Sequence, residues 1–325
     1  MKYRKDEAKE YARERLRGLW GASTTPFTPD LEIDEAGYVA NLRHWRDDLR
    51  LGGIFISGKM GEFFSLSMAE RKHTFDLAAA EATGSFATIM STWDMNLANT
   101  VELTQHAEAV GADFAIIMNP FFYFGANSDE AVYGFYEYVA ERTNIGIGLW
   151  NSPEQGYAMS PRLVARLAQI PNIVAIKNSL PHDHCREVTQ VAGDKIVVSS
   201  PNEHDWLQNI LELGWQVYLA SPEAFVMQTK EDTRLRDYTD LALRGEVAAA
   251  QRVRDSLEPV REALFGSRPA GKTQAQLKYW QELLGQAGGP VRPPLLQLTA
   301  DEKVRIREAF GGSGLGRVRV AAASA

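Results

Sequence analysis

The sequence predicts an α/β protein, a parallel (β/α)8 TIM barrel with a C-terminal helical extension. Three observations carry that prediction. Eight short apolar runs, several rich in β-branched residues, recur along the first two thirds of the chain, each followed by a helical stretch and each short and apolar enough to be a strand buried on both faces. No Gly-x-Gly-x-x-Gly turn follows the first run and no P-loop occurs, which argues against a doubly wound open sheet. The final third reads as nearly continuous helix, an extension behind the barrel rather than further barrel units.

In order, residues 4–17 alternate basic and acidic side chains at helical spacing, with Tyr3, Ala8, Tyr11, Ala12 and Leu16 as the few apolar contacts. Region 1–17 is therefore expected to be an exposed, solvated helical extension. The barrel follows over 18–222. A strand at 19–27 opens into a proline-containing loop, and 34–51 is helical. The second strand is 53–57, followed by a glycine-containing loop at 58–66 and a helix over 67–83, with Ser67 as N-cap and Glu70 closing a capping box. The third is 87–91, with a helix over 96–111 that Gly111 caps. The fourth, 114–118, ends in Asn119-Pro120 before a helix over 128–142. The fifth, 145–150, ends in Asn151-Ser152-Pro153, and its helix starts near Ser160-Pro161. The sixth, 173–176, is closed by Lys177; the seventh is 195–199, with a helix over 203–213, and the eighth is 215–220. Region 223–310 holds helices over 229–243, 246–264 and 272–284, then Val291-Arg292-Pro293-Pro294-Leu295 and a last helix from Thr299; the tail 311–325 is expected to be flexible.

Composition bounds the function. With 325 residues, 45% hydrophobic and 24% charged, the chain can bury one large core. A net charge of −7 argues against a polyanion partner, so no nucleic acid is expected. The single cysteine, Cys185, allows neither an internal disulfide nor a thiolate metal cluster and suits a reducing compartment. The charged N-terminal residues lack the apolar centre of a signal peptide and no apolar run is long enough to span a bilayer, so a cytoplasmic protein with no membrane partner is expected.

Lys177 is the residue on which function turns. A lysine that closes an apolar strand either reaches solvent or pairs with an acid, or it is a desolvated amine. Burial lowers the amine pKa from about 10.4, and the neutral form attacks a ketone to give a Schiff base. The strand C-termini of such a barrel carry its chemistry, which favours the second reading. His182 and His184, at i and i+2, share no helix face and have no matching carboxylate–histidine pair, so no metal is expected; His204-Asp205 reads as a helix start.

Gly58-x-x-Gly61-Glu62, Leu66-Ser67-x-x-Glu70-Arg71, Asn119-Pro120, Asn151-x-Pro153, Ile176-Lys177 and Val291-Arg292-Pro293-Pro294-Leu295 together resemble the dihydrodipicolinate synthase and N-acetylneuraminate lyase family, in the right order from Trp20 to Phe310. The resemblance implies a barrel with C-terminal helices, usually a homotetramer, whose strand-six lysine, here Lys177, forms a Schiff base with pyruvate or another 2-oxo acid. No cofactor is implied.

The family's proton relay is altered. Trp150 stands where a tyrosine is expected, Lys59-Met60 replace a threonine pair, and Phe121-Phe122 occupy the place of a second tyrosine, with Tyr123 one step on. Gln155 falls where dihydrodipicolinate synthases keep an arginine. The expected catalytic residues are Lys177 and Trp150, and the expected substrate-binding residues are Gly58, Lys59, Met60, Glu62, Phe122, Tyr123 and Gln155. Trp150 either fills space or offers its indole N–H and its face. Lys59 is a solvated loop residue, or a charge for a carboxylate, or a second amine that depresses the Lys177 pKa. Glu62 is a structural acceptor of its loop or a proton-transfer group. The aromatic set Phe63, Phe64, Trp93, Phe121, Phe122, Tyr123 and Trp150 suits an aromatic or bulky apolar substrate. The expected activity is a lyase of aldolase, hydratase-aldolase or dehydratase type acting on a 2-oxo acid. The alternative is a relative that has lost imine chemistry and binds or senses a small molecule.

Overall fold

The computed structural model describes residues 2–120, 128–152, 154, 156–219 and 221–315. Among them are eight strands: β1 Gly18–Ala22, β2 Gly53–Ile56, β3 Ala87–Ser91, β4 Phe114–Met118, β5 Gly146–Asn151, β6 Ile173–Asn178, β7 Val197–Ser199 and β8 Val217–Leu219. Helix α1 (Ala8–Arg15) precedes them. Helices α2 (Glu35–Asp47), α3 (Met68–Glu81), α4 (Leu97–Ala109), α5 (Asp129–Glu141), α6 (Pro161–Leu167), α7 (His182–Ala192) and α8 (Trp206–Leu213) each follow a strand. After β8 come α9 (Glu223–Val226), α10 (Arg234–Leu243), α11 (Val247–Asp255), α12 (Glu258–Gly266), α13 (Thr273–Leu283) and α14 (Ala300–Ser313).

Every strand pairs parallel to its neighbour, in the order β7-β6-β5-β4-β3-β2-β1-β8. Apart from half-buried Gly18, all strand residues are buried, which is why the runs read as continuous apolar stretches. At the seam between β7 and β8, Ser199 Oγ donates to the Val217 carbonyl at 2.6 Å and accepts from Leu219 N at 3.0 Å. A hydroxyl does there what a backbone ladder does elsewhere, and the sheet becomes a barrel.

The N-terminal segment is not the solvated appendage its charge suggested. Tyr3, Ala8, Ala12 and Leu16 are buried, and α1 packs on β5 and β6. The i, i+4, i+8 stripe of two alanines and a leucine lets the helix approach closely. Tyr3 Oη donates to the Asp113 carbonyl at 2.5 Å and accepts from Gly146 N at 2.8 Å, at the entries of β4 and β5. Asp113, fully buried, also accepts from Lys2 Nζ, Tyr11 Oη and Thr88 N. The segment floors the barrel at the end opposite the strand C-termini.

Behind the barrel, the stretch expected as one helix over 246–264 is two, α11 and α12, broken at Ser256-Leu257 with Pro259 in the first turn of the second, where a missing N–H costs nothing. The last helix, capped by Thr299 and Glu302, runs through Gly311-Gly312 to Ser313, and Leu315 is buried; the tail expected from 311 is ordered to that point, and 316–325 lie outside the described residues. Among the described residues no helix is long and apolar enough to cross a membrane.

Candidate active site

The period-two geometry of a strand sends consecutive side chains to opposite faces, and the ends of β4, β5 and β6 use both. Met118 pairs with Trp150, Trp150 with Lys177, and Asn151 with Asn178. Asn119, Asn151 and Asn178, one step beyond, are buried and joined by their amides: Asn119 Nδ2 donates to Asn151 Oδ1 at 3.5 Å and Asn151 Nδ2 to Asn178 Oδ1 at 3.0 Å. Asn151 also exchanges hydrogen bonds with the Met159 backbone. This chain of amides fixes the strand ends and thereby aims Trp150 and Lys177.

Lys177 is 4% exposed. Its Nζ lies 4.8 Å from the Trp150 ring centroid and 4.9 Å from that of Phe55, and the two rings meet edge to face at 5.4 Å. Loss of hydration pushes the amine down to about 7, the positive charge of Lys59 pushes the same way, and Glu223 pulls it partly back. At neutral pH a substantial fraction of the amine is therefore unprotonated. Trp150, itself 4% exposed, presents its ring to both amines, with Lys59 Nζ 5.6 Å from the centroid.

The loop at 58–62 carries the second amine. A Cβ at Gly58 would lie 2.8 Å from the Phe55 ring, so glycine is what lets the loop close over that ring. Ser57 and Glu62 on either side hold left-handed backbone, φ 52° and 56°, a conformation costly for both that the surroundings must impose. Glu62 supplies that restraint. Both ends of the Lys278–Glu62 ion pair are fully buried, with Lys278 Nζ donating to Oε1 at 2.9 Å, while Arg292 N donates to Oε2 at 2.9 Å. Expected among the substrate-binding residues, Glu62 instead anchors the loop to the C-terminal helical region, its oxygens taken by groups of the protein. Lys59 ion-pairs with Glu154, and burial lowers its pKa; it is neither a freely solvated loop residue nor fully enclosed. Met60 packs against the core. Phe122, Tyr123 and Gln155 lie outside the described residues.

Three site residues were not singled out from the sequence. Phe55 read as ordinary strand; its signal is that it stands one residue before the end of β2, where an inward side chain reaches the mouth. Glu223 stood only as the first residue of the C-terminal helical region, yet it is buried, its pKa raised by desolvation, with Tyr218 Oη 3.5 Å away. Ser199, beside Lys177 in register, closes the barrel. His182 reaches Asn209 and Glu212, and His184 reaches Asn178 and the Met159 carbonyl. Among the described residues no group of three or more His, Cys, Asp or Glu side chains is placed to hold a metal.

Fold and mouth together define a (β/α)8-barrel lyase with a desolvated lysine at the end of its sixth strand. More particularly, the chain belongs to the dihydrodipicolinate synthetase family, whose model matches residues 15–310. It is 26% identical to a probable 5-dehydro-4-deoxyglucarate dehydratase of Corynebacterium glutamicum over 93% of each chain. It superimposes on the crystal structure of dihydrodipicolinate synthase from Aquifex aeolicus with a TM-score of 0.81 and 25% identity, over 92% of this chain and 99% of that one. A prophage protein of the same family from E. coli K12, solved in complex with pyruvate, matches with a TM-score of 0.80 and 23% identity over 92% and 99%. Nothing among these relatives supports the binding-or-sensing alternative; they include a probable dehydratase and 4-hydroxy-tetrahydrodipicolinate synthases.

Proposed function

We propose that the protein is a cofactor-independent lyase that takes a 2-oxo acid as a Schiff base on Lys177. The observation that carries this is the amine itself: enclosed at the strand-six end, held against Trp150 and Phe55, with its pKa pushed to about 7. The unprotonated Nζ adds to the C2 carbonyl carbon, and the carbonyl oxygen, after accepting two protons, leaves as water. The resulting iminium draws electrons from the bond beyond C3. Cleavage there releases an aldehyde, loss of hydroxide from C4 after C3 gives up a proton releases water, and the reverse steps join the fragments. Lys59 supplies a cation within reach of the substrate carboxylate and keeps Lys177 deprotonated. The Trp150 face lies under the cationic iminium, where a phenol would have offered a proton instead. The pyruvate bound by the E. coli relative is consistent with a 2-oxo acid here. We further place the protein in the cytoplasm as a homo-oligomer, tetramer or dimer.

Borohydride reduction in the presence of pyruvate, read by intact mass and peptide mapping, tests this. The expected result is a stable adduct on Lys177 that is absent from Lys177→Ala. An adduct on another lysine, or turnover that survives in folded Lys177→Ala, overturns it.

A further inference from the structure

On the flank of the barrel, α2 and the segments 228–231 and 284–287 enclose a cavity of about 270 Å³, and none of the residues placed around Lys177 lines it. Three polar side chains of its wall are deeply buried: Asn41 is 2%, Gln228 1% and Gln286 8% exposed. Two of them close their hydrogen bonds within the protein. Asn41 exchanges bonds with the Ala287 backbone, while Gln286 Oε1 accepts from Trp45 Nε1 and Gln281 Nε2 and its Nε2 donates to the Phe225 carbonyl. Gln228 differs. Its Nε2 donates to the Ala224 carbonyl at 2.5 Å, which fixes the orientation of the amide, and its Oε1 is buried with no hydrogen-bond partner among the described residues. The rest of the wall also asks for a donor. Its carboxylates, Asp48 and Glu231, outnumber its one ammonium, Lys230, which lies 3.7 Å from Glu231; His44 Nδ1 lies 2.6 Å from Asp48 Oδ2, and Thr229 Oγ1 accepts from Glu231 N and Asp232 N.

The same glutamines hold the helix that faces the reactive amine. A short helix leaves its last carbonyls without intrahelical partners. In α9 those of Ala224, Phe225 and Val226 are taken by Gln228 Nε2, Gln286 Nε2 and Trp280 Nε1. Glu223, the first residue of α9, is the carboxyl that pulls the Lys177 pKa up. Two of the three supports of α9 therefore belong to the cavity wall. We propose that this cavity is an effector site for a small protonated amine, whose N–H donates to Gln228 Oε1 and whose charge is met by Asp48 and Glu231, and that its occupancy changes imine formation at Lys177 through α9. Donation to Oε1 polarises the amide and strengthens the bond from Nε2 to Ala224, so the ligand acts directly on the hold over the helix. An anion is the poorer fit, because it brings a further acceptor to an oxygen that lacks a donor.

The coupling half of this inference rests on the Schiff-base reading; the binding half does not, and the test separates them. Calorimetric binding of trimethylammonium, which has one N–H, is compared at pH 7 and fixed ionic strength with that of tetramethylammonium, which has none. Neither ion forms an imine with pyruvate. The N–H is expected to tighten binding about 10-fold or more. Gln228→Met should remove most of that difference, and Asp48→Asn, a change at an exposed carboxylate, should weaken trimethylammonium about threefold or more. Equal binding of the two ions, or none, overturns the site. Binding and preference that survive both substitutions overturn its assignment to this cavity. The rate of borohydride-trapped pyruvate adduct is then read with trimethylammonium saturating, and is expected to change about twofold or more in the native protein but not in Gln228→Met. An unchanged rate in the native protein overturns the coupling. Trapping that fails even without the amine refutes the Schiff base and leaves the binding result standing.

Discussion

Replacing Lys59 by methionine should move the pH dependence of imine formation to higher pH. The Nζ atoms of Lys177 and Lys59 lie 4.8 and 5.6 Å from the same ring centroid, so they are separated by at most the sum of those lengths, about 10 Å. At an effective dielectric constant of about 20, two unit charges that far apart repel by about 1.6 kcal/mol, or about one pKa unit. Glu154, paired with Lys59, offsets part of this, leaving roughly half a unit to one unit. The Lys177 midpoint, about 7 in the native protein, should therefore rise to between about 7.5 and 8 in Lys59→Met. At pH 7 the unprotonated fraction falls from about one half to between one quarter and one tenth, a roughly two- to fivefold slower trapping at saturating acid that vanishes above about pH 9. The assay is the initial rate of borohydride-trapped adduct against pH, at pyruvate concentrations high enough that carboxylate binding drops out. Glu223→Gln should shift the midpoint the other way, because Glu223 pulls the Lys177 pKa up. An unmoved midpoint in Lys59→Met, or one that falls, refutes the claim that the second amine tunes the first.

Three further perturbations test the frame around the site. Lys177 holds its proton up to about pH 10.4 in the unfolded chain but only below about 7 in the fold, so folding expels a proton between those values and stability rises with pH across that window. Lys177→Met should then be more stable than the native protein by on the order of 2–4 kcal/mol near pH 6, an advantage that fades toward pH 10 in thermal melts. Glu62→Gln strands the Lys278 ammonium, whose pKa burial has already pushed down to about 8, and should cost about 3–5 kcal/mol; the double variant with Lys278→Met should recover much of that in denaturant titrations. Tyr3→Phe removes a buried hydroxyl that serves both the Asp113 carbonyl and Gly146 N, and should cost about 2–3 kcal/mol in chemical denaturation while leaving the pyruvate-trapping rate at the far end of the barrel unchanged.

Much of the barrel was legible because its strands announce themselves twice, by apolar runs without alternation and by punctuation at their ends. Asn119-Pro120 and Asn151 marked two strand exits, and the capping box at Ser67 marked a helix start to the residue. Lys177 was legible for the same reason, since a cation ending such a run must be accommodated somehow. The N-terminal helix was misread because its burial rests on a stripe of small residues while its charges are spent on backbone carbonyls. Lys9 Nζ, for example, donates to the Ala168 carbonyl at 2.5 Å, a use of charge that composition cannot distinguish from solvation. Glu62 was ambiguous because its partner, Lys278, stands more than two hundred residues away on α13, and no local pattern connects the two. Phe55 and Glu223 were hidden by being ordinary: a phenylalanine in a strand and a glutamate in a first helical turn say nothing locally about the amine they surround.

The floor of the barrel has a consequence for how the molecule is made. Residues 2–16 leave the ribosome before the strands of the barrel, yet Tyr3 docks on groups 110 and 143 positions later, so its seat exists only once strands four and five have been synthesised. Until then the segment has no apolar stripe wide enough to fold alone and waits as a charged, soluble leader. A segment synthesised before the barrel is thus fitted only after most of the barrel has been made. Its docking draws together the entries of strands that came from different stretches of nascent chain, so that a truncation at this end would leave translation of the barrel untouched and penalise the step that completes it.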